Sequence, residues 1–336
     1  MQNLLDPAIL FFVFGVVAGA LRSNLEIPPP IAKFLSLYLL MALGLKGGFA
    51  LAHSGLNATV IMSLAAATVM AFIVPALGYQ VLKNRVSRFD AAAIAACYGS
   101  VSAVTFVTAT QYLEANFMSP GGHMTVALVV MESPAIIMAV LLASTLRHAP
   151  VGGVTLSSSG GAAMAAIPAP HPGLPLGKIL HQSFTDGAHV LLLGAMVVGY
   201  VSGDAGKVVM APFSSDLFKG MLAFFLLDMG LMVAKNFGSV RGKSPVLIAY
   251  AAIAPLVHAG IALALSILLQ LPVADAALLM VLAASASYIV VPAVLRYAIP
   301  EANPTLYFGL SLGVTFPLNI LFGIPLYTGV ARHFLE

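Results

Sequence analysis

Small hydroxyl residues and glycine interrupt two long apolar stretches of this sequence. The residues suited to form a binding site are Gly99, Ser100, Val101, Ser102 and Thr105 in the first stretch, and Ser285, Ala286 and Ser287 in the second. Where a helix breaks inside a membrane, its exposed amides and hydroxyls attract anions, and its exposed carbonyls suit a bare monovalent cation. The two stretches therefore predict a site for a small anion and a coupled sodium ion.

These two stretches are related by a constant separation of 185 positions. Six pairs of identical residues share it, and they join Asp90, Ala91, Ala92, Ser100, Ser102 and Tyr112 to the residues 185 positions later. A Glu-Ala-Asn motif follows each stretch, at 114–116 and at 301–303. Paired interrupted segments in the two halves of a membrane protein indicate a substrate site where two repeats meet. A transporter is the function that this pattern favours.

The composition is that of an integral membrane protein. Hydrophobic residues make up 60% of the chain and charged residues only 8%, whereas about 25% of the residues in soluble domains are charged. The net charge of +3 is too small, and basic residues too scattered, to indicate a nucleic-acid partner. The sequence has no zinc-protease, Walker or dinucleotide motif. We therefore predict that the protein is not an enzyme and has no cofactor beyond sodium as a coupling ion.

Hydrophobic segments long enough to cross a bilayer organise the rest of the chain. Ten are predicted, near 5–22, 30–50, 57–82, 89–112, 122–146, 178–202, 211–234, 245–270, 274–298 and 304–331. Five spans per half force opposite orientations on the two halves. We predict an all-α integral membrane protein with ten transmembrane helices, arranged as two inverted five-helix repeats with broken crossover helices. The first repeat is 1–148, a cytoplasmic linker is 149–177, and the second repeat is 178–336.

Basic residues concentrate in the loops on one side of this arrangement. The loops after odd-numbered spans carry Arg22, Lys83, Arg85, Arg88, Arg147, Lys178, Lys235, Arg241, Lys243 and Arg296. The other side has only Lys207, Lys219 and Arg332. Because positively charged loops stay in the cytoplasm, both termini are expected outside the cytoplasm.

Several polar residues fall within the predicted spans, where ionisable side chains are costly. Glu132 precedes Pro134, which is expected to break the fifth span, and its carboxylate would ligate a cation, carry a proton or only satisfy backbone amides. Asn319 lies beside the Thr315-Phe-Pro317 motif, a second expected break, and would complete a polar site. The sequence does not fix the roles of Asp228 and Lys46. His189, near an expected interface, is assigned no special role.

The sequence also resembles a known family. The motifs that carry the resemblance are Gly99-Ser-Val-Ser-Ala-Val-Thr105, Met131-Glu-Ser-Pro-Ala135, Ala284-Ser-Ala-Ser-Tyr288, Pro300-Glu-Ala-Asn-Pro304 and Ser311-Leu-Gly-Val-Thr-Phe-Pro317. Together they are similar to the sodium-dependent bicarbonate transporter (SbtA-type) permease family over nearly the whole chain. The resemblance implies a core domain beside a gate domain, an elevator-like cycle, and sodium-coupled bicarbonate uptake across the bacterial inner (plasma) membrane. It also implies a homotrimer and a PII-like regulatory protein at the cytoplasmic face.

Carried over residue by residue, the family's anion site falls on the hydroxyls of Ser100, Ser102, Thr105, Ser285 and Ser287. Sodium is expected to bind at Ser102, Thr105, Glu132 and Asn319. The chain departs from the cyanobacterial carriers, which have a further serine at the position of Val104 and an aspartate at that of Tyr288. Its linker is also shorter and less charged, which weakens the case for the PII-like partner.

Other functions stay open at this point. One is a sodium symporter of another small anion or carboxylate, and another is a membrane sensor that binds an anion without moving it. A cation/proton antiporter on a related fold is disfavoured because neither crossover carries an acid. A channel is disfavoured because neither crossover supplies a ring of carbonyls or charges.

Overall fold

The computed structural model describes residues 6–55, 57–148, 187–239 and 243–336, which form helices and their connections without any strand. The helices are α1 Pro7–Ala20, α2 Pro29–Ser54, α3 Ala58–Leu82, α4 Arg88–Gly99, α5 Ala103–Ala115, α6 Met124–His148, α7 Gly187–Ala211, α8 Phe218–Asn236, α9 Pro245–Leu268, α10 Val273–Ala284, α11 Val290–Ala298 and α12 Pro304–Leu335. The predicted linker 149–177 and the start of the sixth predicted span lie outside the described residues.

Local sequence explains where many of these helices begin. Asp6 caps α1, because its carboxylate accepts a hydrogen bond of 2.8 Å from Ala8 N. Asn57 caps α3 in the same way, with 3.0 Å to Val60 N, and Ser87 caps α4. Such side chains satisfy amides that have no partner within the helix.

Seven helical stretches within the described ranges are long and apolar enough to cross a membrane. The longest, Gly187–Asn236, contains both α7 and α8, and its helical geometry is interrupted at Gly203 (φ 54°, ψ −142°). Pro7–Ala20 and Val273–Ala284 are apolar but shorter. The chain therefore has the helices of a multi-pass membrane protein.

Helices α1, α2, α7 and α8 pack together in pairs, which we call the four-helix bundle. Helix α1 lies on α8 at Gly15, where an added Cβ would be 2.3 Å from Leu227 O. Helix α2 lies on α7 at Gly48, where an added Cβ would be 2.1 Å from Met196 O. Small residues let helix backbones approach this closely in lipid.

The other helices, α3–α6 and α9–α12, form the crossover bundle, in which α3 packs on α4 and α6, and α10 packs on α9 and α12. The predicted breaks at Pro134 and at Thr315-Phe-Pro317 are wrong, since α6 continues through Pro134 and α12 stays helical with π-helical turns at Ser311–Thr315 and Asn319–Gly323. A proline removes one hydrogen bond, and neighbouring helices can keep such a helix continuous in a membrane protein.

Candidate functional site

The first crossover is a short extended segment between α4 and α5. Helix α4 ends at Gly99, and Ser100 (φ −91°, ψ −179°) and Ser102 (φ −106°, ψ 111°) are extended. Helix α5 then begins at Ala103, and Ser102 Oγ caps it by accepting a hydrogen bond of 3.2 Å from Thr105 N. The predicted interruption of this span is thus present, and it exposes the amino end of α5.

The second crossover has the same form. Helix α10 ends at Ala284, Ser285 is extended (φ −82°, ψ 166°), and α11 begins at Val290. Ser287 Oγ accepts a hydrogen bond of 3.3 Å from Val291 N, which places it at the amino end of α11. Ser102 and Ser287, which share the 185-residue separation, therefore hold equivalent positions at the starts of two half-helices.

The two crossovers contact each other directly. Ser102 N donates a hydrogen bond of 2.9 Å to Ser285 Oγ, and Ser287 N donates one of 2.7 Å to Cys97 O. Ser285 Oγ in turn donates to Leu282 O at 2.8 Å. The crossovers are thus joined by two hydrogen bonds, and Ser285 is both donor and acceptor within the protein.

Two equivalent aspartates accept backbone hydrogen bonds near the starts of α4 and α10, at the ends of these helices away from the crossovers. Asp90, near the start of α4, accepts a hydrogen bond of 2.7 Å from Asn303 N, in the loop after α11. Asp275, near the start of α10, accepts one of 2.6 Å from Gly121 N, in the loop after α5. Each half of the chain therefore holds the loop that follows the crossover of the other half.

A cavity of about 80 Å³ lies where the crossovers face the four-helix bundle. It is lined by Ser36, Leu40, Val101, Ser102, Ala103, Val104, Leu128, Glu132, Ala188, His189, Leu192, Ser287, Tyr288, Ile289 and Val290. We call it the crossover cavity. It has room for a few water molecules or a small ion, and it is much smaller than the roughly 300–1,000 Å³ of a site for drug-sized ligands. Its size restricts the occupant to a few heavy atoms.

Glu132 and His189 face each other in the crossover cavity. Glu132 Oε2 is in hydrogen-bonding contact with His189 Nε2, and each residue is 6% exposed. Glu132 lies on α6 of the crossover bundle and His189 on α7 of the four-helix bundle. Sequence reasoning gave His189 no role, and nothing in its local pattern pointed to Glu132, which is 57 positions away.

Six of the predicted site residues do not line this cavity. Gly99 packs on α3, where an added Cβ would be 2.6 Å from Pro75. Asn319 donates a hydrogen bond of 2.8 Å to Ala284 O at the end of α10 and accepts one from Tyr327. Ser100 Oγ and Thr105 Oγ1 are buried and have no hydrogen-bond partner within the described residues. The structure thus brings Ser102, Ser287 and Glu132 together, with Val101 beside them, and leaves Gly99, Ser100, Thr105, Ser285, Ala286 and Asn319 outside the lining.

A second, larger cavity of about 660 Å³ lies next to the first. Its charged lining residues are Lys46, Glu114 and Lys207, together with His53 at its rim. The two cavities lie next to each other along α2 and α6. On α2, Leu40 lines the smaller cavity and Leu43, about one turn away, lines the larger one. On α6, Leu128 lines the smaller cavity and Thr125 lines the larger one. We call the larger cavity the vestibule.

An ion pair crosses the vestibule between the two bundles. Lys46 Nζ on α2 lies 2.8 Å from Glu114 Oε2 and 3.1 Å from Glu114 Oε1 at the end of α5, and it also lies 4.5 Å from the centre of the Phe218 ring. Lys46 is therefore paired with a carboxylate of the other bundle. Asp228, on α8, is half-buried and lines neither cavity.

Among the described residues, no three His, Cys, Asp or Glu side chains gather in a group that could hold a metal ion. A cation at Glu132 would therefore take its remaining ligands from hydroxyls and carbonyls. Sodium, a hard monovalent ion that carriers bind with backbone carbonyls and small hydroxyls, fits such a donor set.

The sequence matches the model of a known protein family. Residues 7–332 match the family model described as the Na⁺-dependent bicarbonate transporter superfamily, which covers nearly the whole chain. A comparison with curated proteins gives no match.

Proposed function

The chain belongs to the Na⁺-dependent bicarbonate transporter superfamily, and we propose that it is a secondary transporter that takes up bicarbonate together with sodium. The observation that carries this proposal is the meeting of both crossovers and Glu132 at one small cavity between two helix bundles. A carrier needs such a site at the junction of its repeats.

We place the anion between Ser102 and Ser287. Each serine oxygen already accepts a hydrogen bond from its own half-helix, from Thr105 N and from Val291 N. A hydroxyl can accept and donate at the same time, so both hydrogens can be directed at an anion. The positive ends of the α5 and α11 dipoles at Ala103 and Val290 add favourable electrostatics.

We place sodium at Glu132, with Ser102 as a neighbouring ligand. The Glu132 carboxylate is buried in the same cavity as Ser102 and Ser287. A bound sodium ion would balance the carboxylate charge, and it would also attract an anion beside it. Thr105 and Asn319 remain predicted sodium ligands, and the unsatisfied hydroxyl of Thr105 favours its inclusion.

Reciprocal contacts support inverted repeats and ten spans. Asp90 of the first half binds a loop of the second half, and Asp275 of the second half binds a loop of the first half. The pairs α1–α8 and α2–α7 match the pairing expected when the first and second spans of one repeat meet the second and first of the other. If α4 with α5 counts as one broken span, α10 with α11 counts as another, and every other helix counts as one span, the total is ten.

The division of the helices into a four-helix bundle and a crossover bundle supports an elevator-like cycle. In this proposal the four-helix bundle is the gate and the crossover bundle is the core that carries the cavity across the membrane. Among the described residues, contacts between the two bundles include the Lys46–Glu114 ion pair and the His189–Glu132 contact, with the acid on the core each time. The vestibule would be the outer access route, which agrees with the basic loops lying on the cytoplasmic side.

The remaining expectations stay predictions. They are the bacterial inner membrane as the location, both termini outside the cytoplasm, a homotrimer, and a PII-like partner at the cytoplasmic face. The linker on which such a partner would act lies at 149–177, outside the described residues.

Uptake of radiolabelled bicarbonate into proteoliposomes, with and without an inward sodium gradient, tests the proposed function. We expect accumulation that requires the sodium gradient and is absent with potassium in its place. Bicarbonate binding without uptake would instead identify an anion sensor. Folded protein without any bicarbonate uptake would contradict bicarbonate as the substrate, and a competition panel of small carboxylates would then identify the anion.

A further inference from the structure

The contact between His189 and Glu132 occupies the carboxylate to which sodium is proposed to bind. His189 Nε2 is in hydrogen-bonding contact with Glu132 Oε2, and both side chains are buried in the crossover cavity. An imidazole N–H presents the positive end of its dipole to the oxygen that accepts it. A sodium ion at Glu132 Oε2 and the His189 N–H therefore disfavour each other.

The serines proposed to bind the anion line the same cavity as His189. Ser102 and Ser287 approach from the crossover bundle, and His189 approaches from α7 on the opposite wall. An imidazole that donates N–H to a carboxylate oxygen can donate the same N–H to an oxygen of a bound anion. The His189 N–H can therefore turn from Glu132 to the anion by changing its acceptor, while the imidazole keeps the same protonation state.

On the basis of the proposed function, we propose that His189 couples the two ions. In the absence of sodium, His189 donates to Glu132, and the anion faces both an uncompensated carboxylate and a missing donor. When sodium binds Glu132, the carboxylate charge is compensated and His189 turns to the anion. Each ion thereby raises the affinity of the other, as linkage between two sites requires.

The location of the pair adds a second consequence. Glu132 belongs to the crossover bundle and His189 to the four-helix bundle. Loading both ions exchanges a direct contact between the bundles for contacts with the cargo. His189 is therefore a positioning residue for the anion, and its effect is expected in the linkage between the ions more than in the stability of the protein.

Equilibrium binding of radiolabelled bicarbonate to the purified protein tests this inference. The quantity measured is the ratio of the apparent bicarbonate Kd without sodium, with choline in its place, to that at saturating sodium. For the unmodified protein we expect a ratio within the roughly 5- to 150-fold range typical of coupled sites. His189→Phe, which keeps a ring and removes the N–H, is expected to reduce the ratio severalfold, leaving the part that comes from direct attraction between sodium and the anion.

Two further variants sharpen this test. His189→Gln keeps an N–H donor and is expected to recover part of the ratio. His258→Gln changes a buried histidine on α9 that lines neither cavity, and it is expected to leave the ratio unchanged. Where His189→Phe does not fold, His189→Ala removes the same donor with a smaller side chain.

The outcomes separate this inference from the proposed function. A full ratio in folded His189→Phe or His189→Ala, beside a normal ratio in the unmodified protein, would overturn the coupling role of His189 and leave sodium-linked bicarbonate binding intact. No effect of sodium in the unmodified protein would overturn both proposals. A ratio that is reduced in His189→Phe and partly recovered in His189→Gln would support the coupling role.

Discussion

Ser102 N donates a hydrogen bond of 2.9 Å to Ser285 Oγ, and this bond joins the break in one half of the chain to the break in the other. Both groups are buried. Because Ser285 Oγ also donates to Leu282 O, its single hydrogen is already used within the protein and is not directed at an anion. Ser285 therefore holds the two crossovers in register, while Ser102 and Ser287 face the cavity.

Replacing Ser285 should mainly affect stability. Ser285→Ala leaves the buried Ser102 N–H without its acceptor, and an unsatisfied buried group costs about 1–3 kcal/mol. We expect a lower unfolding temperature in detergent, measured by the fluorescence of a thiol-reactive or hydrophobic dye. An unchanged unfolding temperature combined with lost bicarbonate binding would show instead that Ser285 is a direct ligand.

Replacing Ser287 should mainly affect anion affinity. Hydrogen bonds to charged groups contribute about 1.5–3 kcal/mol, so Ser287→Ala is expected to weaken bicarbonate binding roughly 10- to 100-fold. The matched control is Ser266→Ala, which removes a buried hydroxyl that bonds Ala262 O within α9. Equal bicarbonate affinities in the two variants, measured by equilibrium binding, would remove Ser287 from the site.

Linking Lys46 to Glu114 should stop transport if the bundles move past one another. These residues form an ion pair between α2 and α5 across the vestibule. In a Cys97→Ala background, Lys46→Cys and Glu114→Cys joined by a short bifunctional maleimide should reduce uptake to the level of empty liposomes.

The control link lies within the crossover bundle. Arg332 Nη2 is 3.5 Å from Asn116 O, so Asn116→Cys and Arg332→Cys can be joined by the same reagent. Their link is expected to leave most uptake intact because both residues move together. Full uptake after complete Lys46–Glu114 linking would argue against relative movement of the bundles.

Close helix packing predicts a strong effect of one methyl group on α1. An added Cβ at Gly15 would lie 2.3 Å from Leu227 O, and such overpacking costs roughly 1–3 kcal/mol. Gly15→Ala should therefore lower the unfolding temperature. Gly194→Ala on α7, where no other part of the described chain lies within 4 Å of the added Cβ, should keep or raise it. Equal unfolding temperatures would mean that α1 and α8 do not pack this closely.

The sequence predicts the crossovers well because their signal is local and occurs twice. Ser100 to Ser102 and Ser285 to Ser287 lie inside segments that repeat at a fixed separation, and apolar length marks most of the spans. The contact between Glu132 and His189 could not be predicted, since it joins two helices that are far apart in the sequence. Pro134 suggested a break, yet α6 continues through it. Whether a helix continues through a proline depends on the helices that pack against it, which a local motif does not encode. Gly99 is also required by packing, since an added Cβ there would meet Pro75, and a local motif does not reveal that contact.

Protection of a cavity residue tests most directly whether sodium and bicarbonate bind together in the crossover cavity. Ser36 lines the cavity from α2, so Ser36→Cys in a Cys97→Ala background reports its occupancy through the rate of reaction with methyl methanethiosulfonate. Ser119→Cys, at the exposed edge of the vestibule, is the control. We expect sodium and bicarbonate together to slow the Ser36→Cys reaction severalfold, either ion alone to have little effect, and Ser119→Cys to be unaffected. An unchanged Ser36→Cys rate at saturating concentrations of both ions would contradict the site.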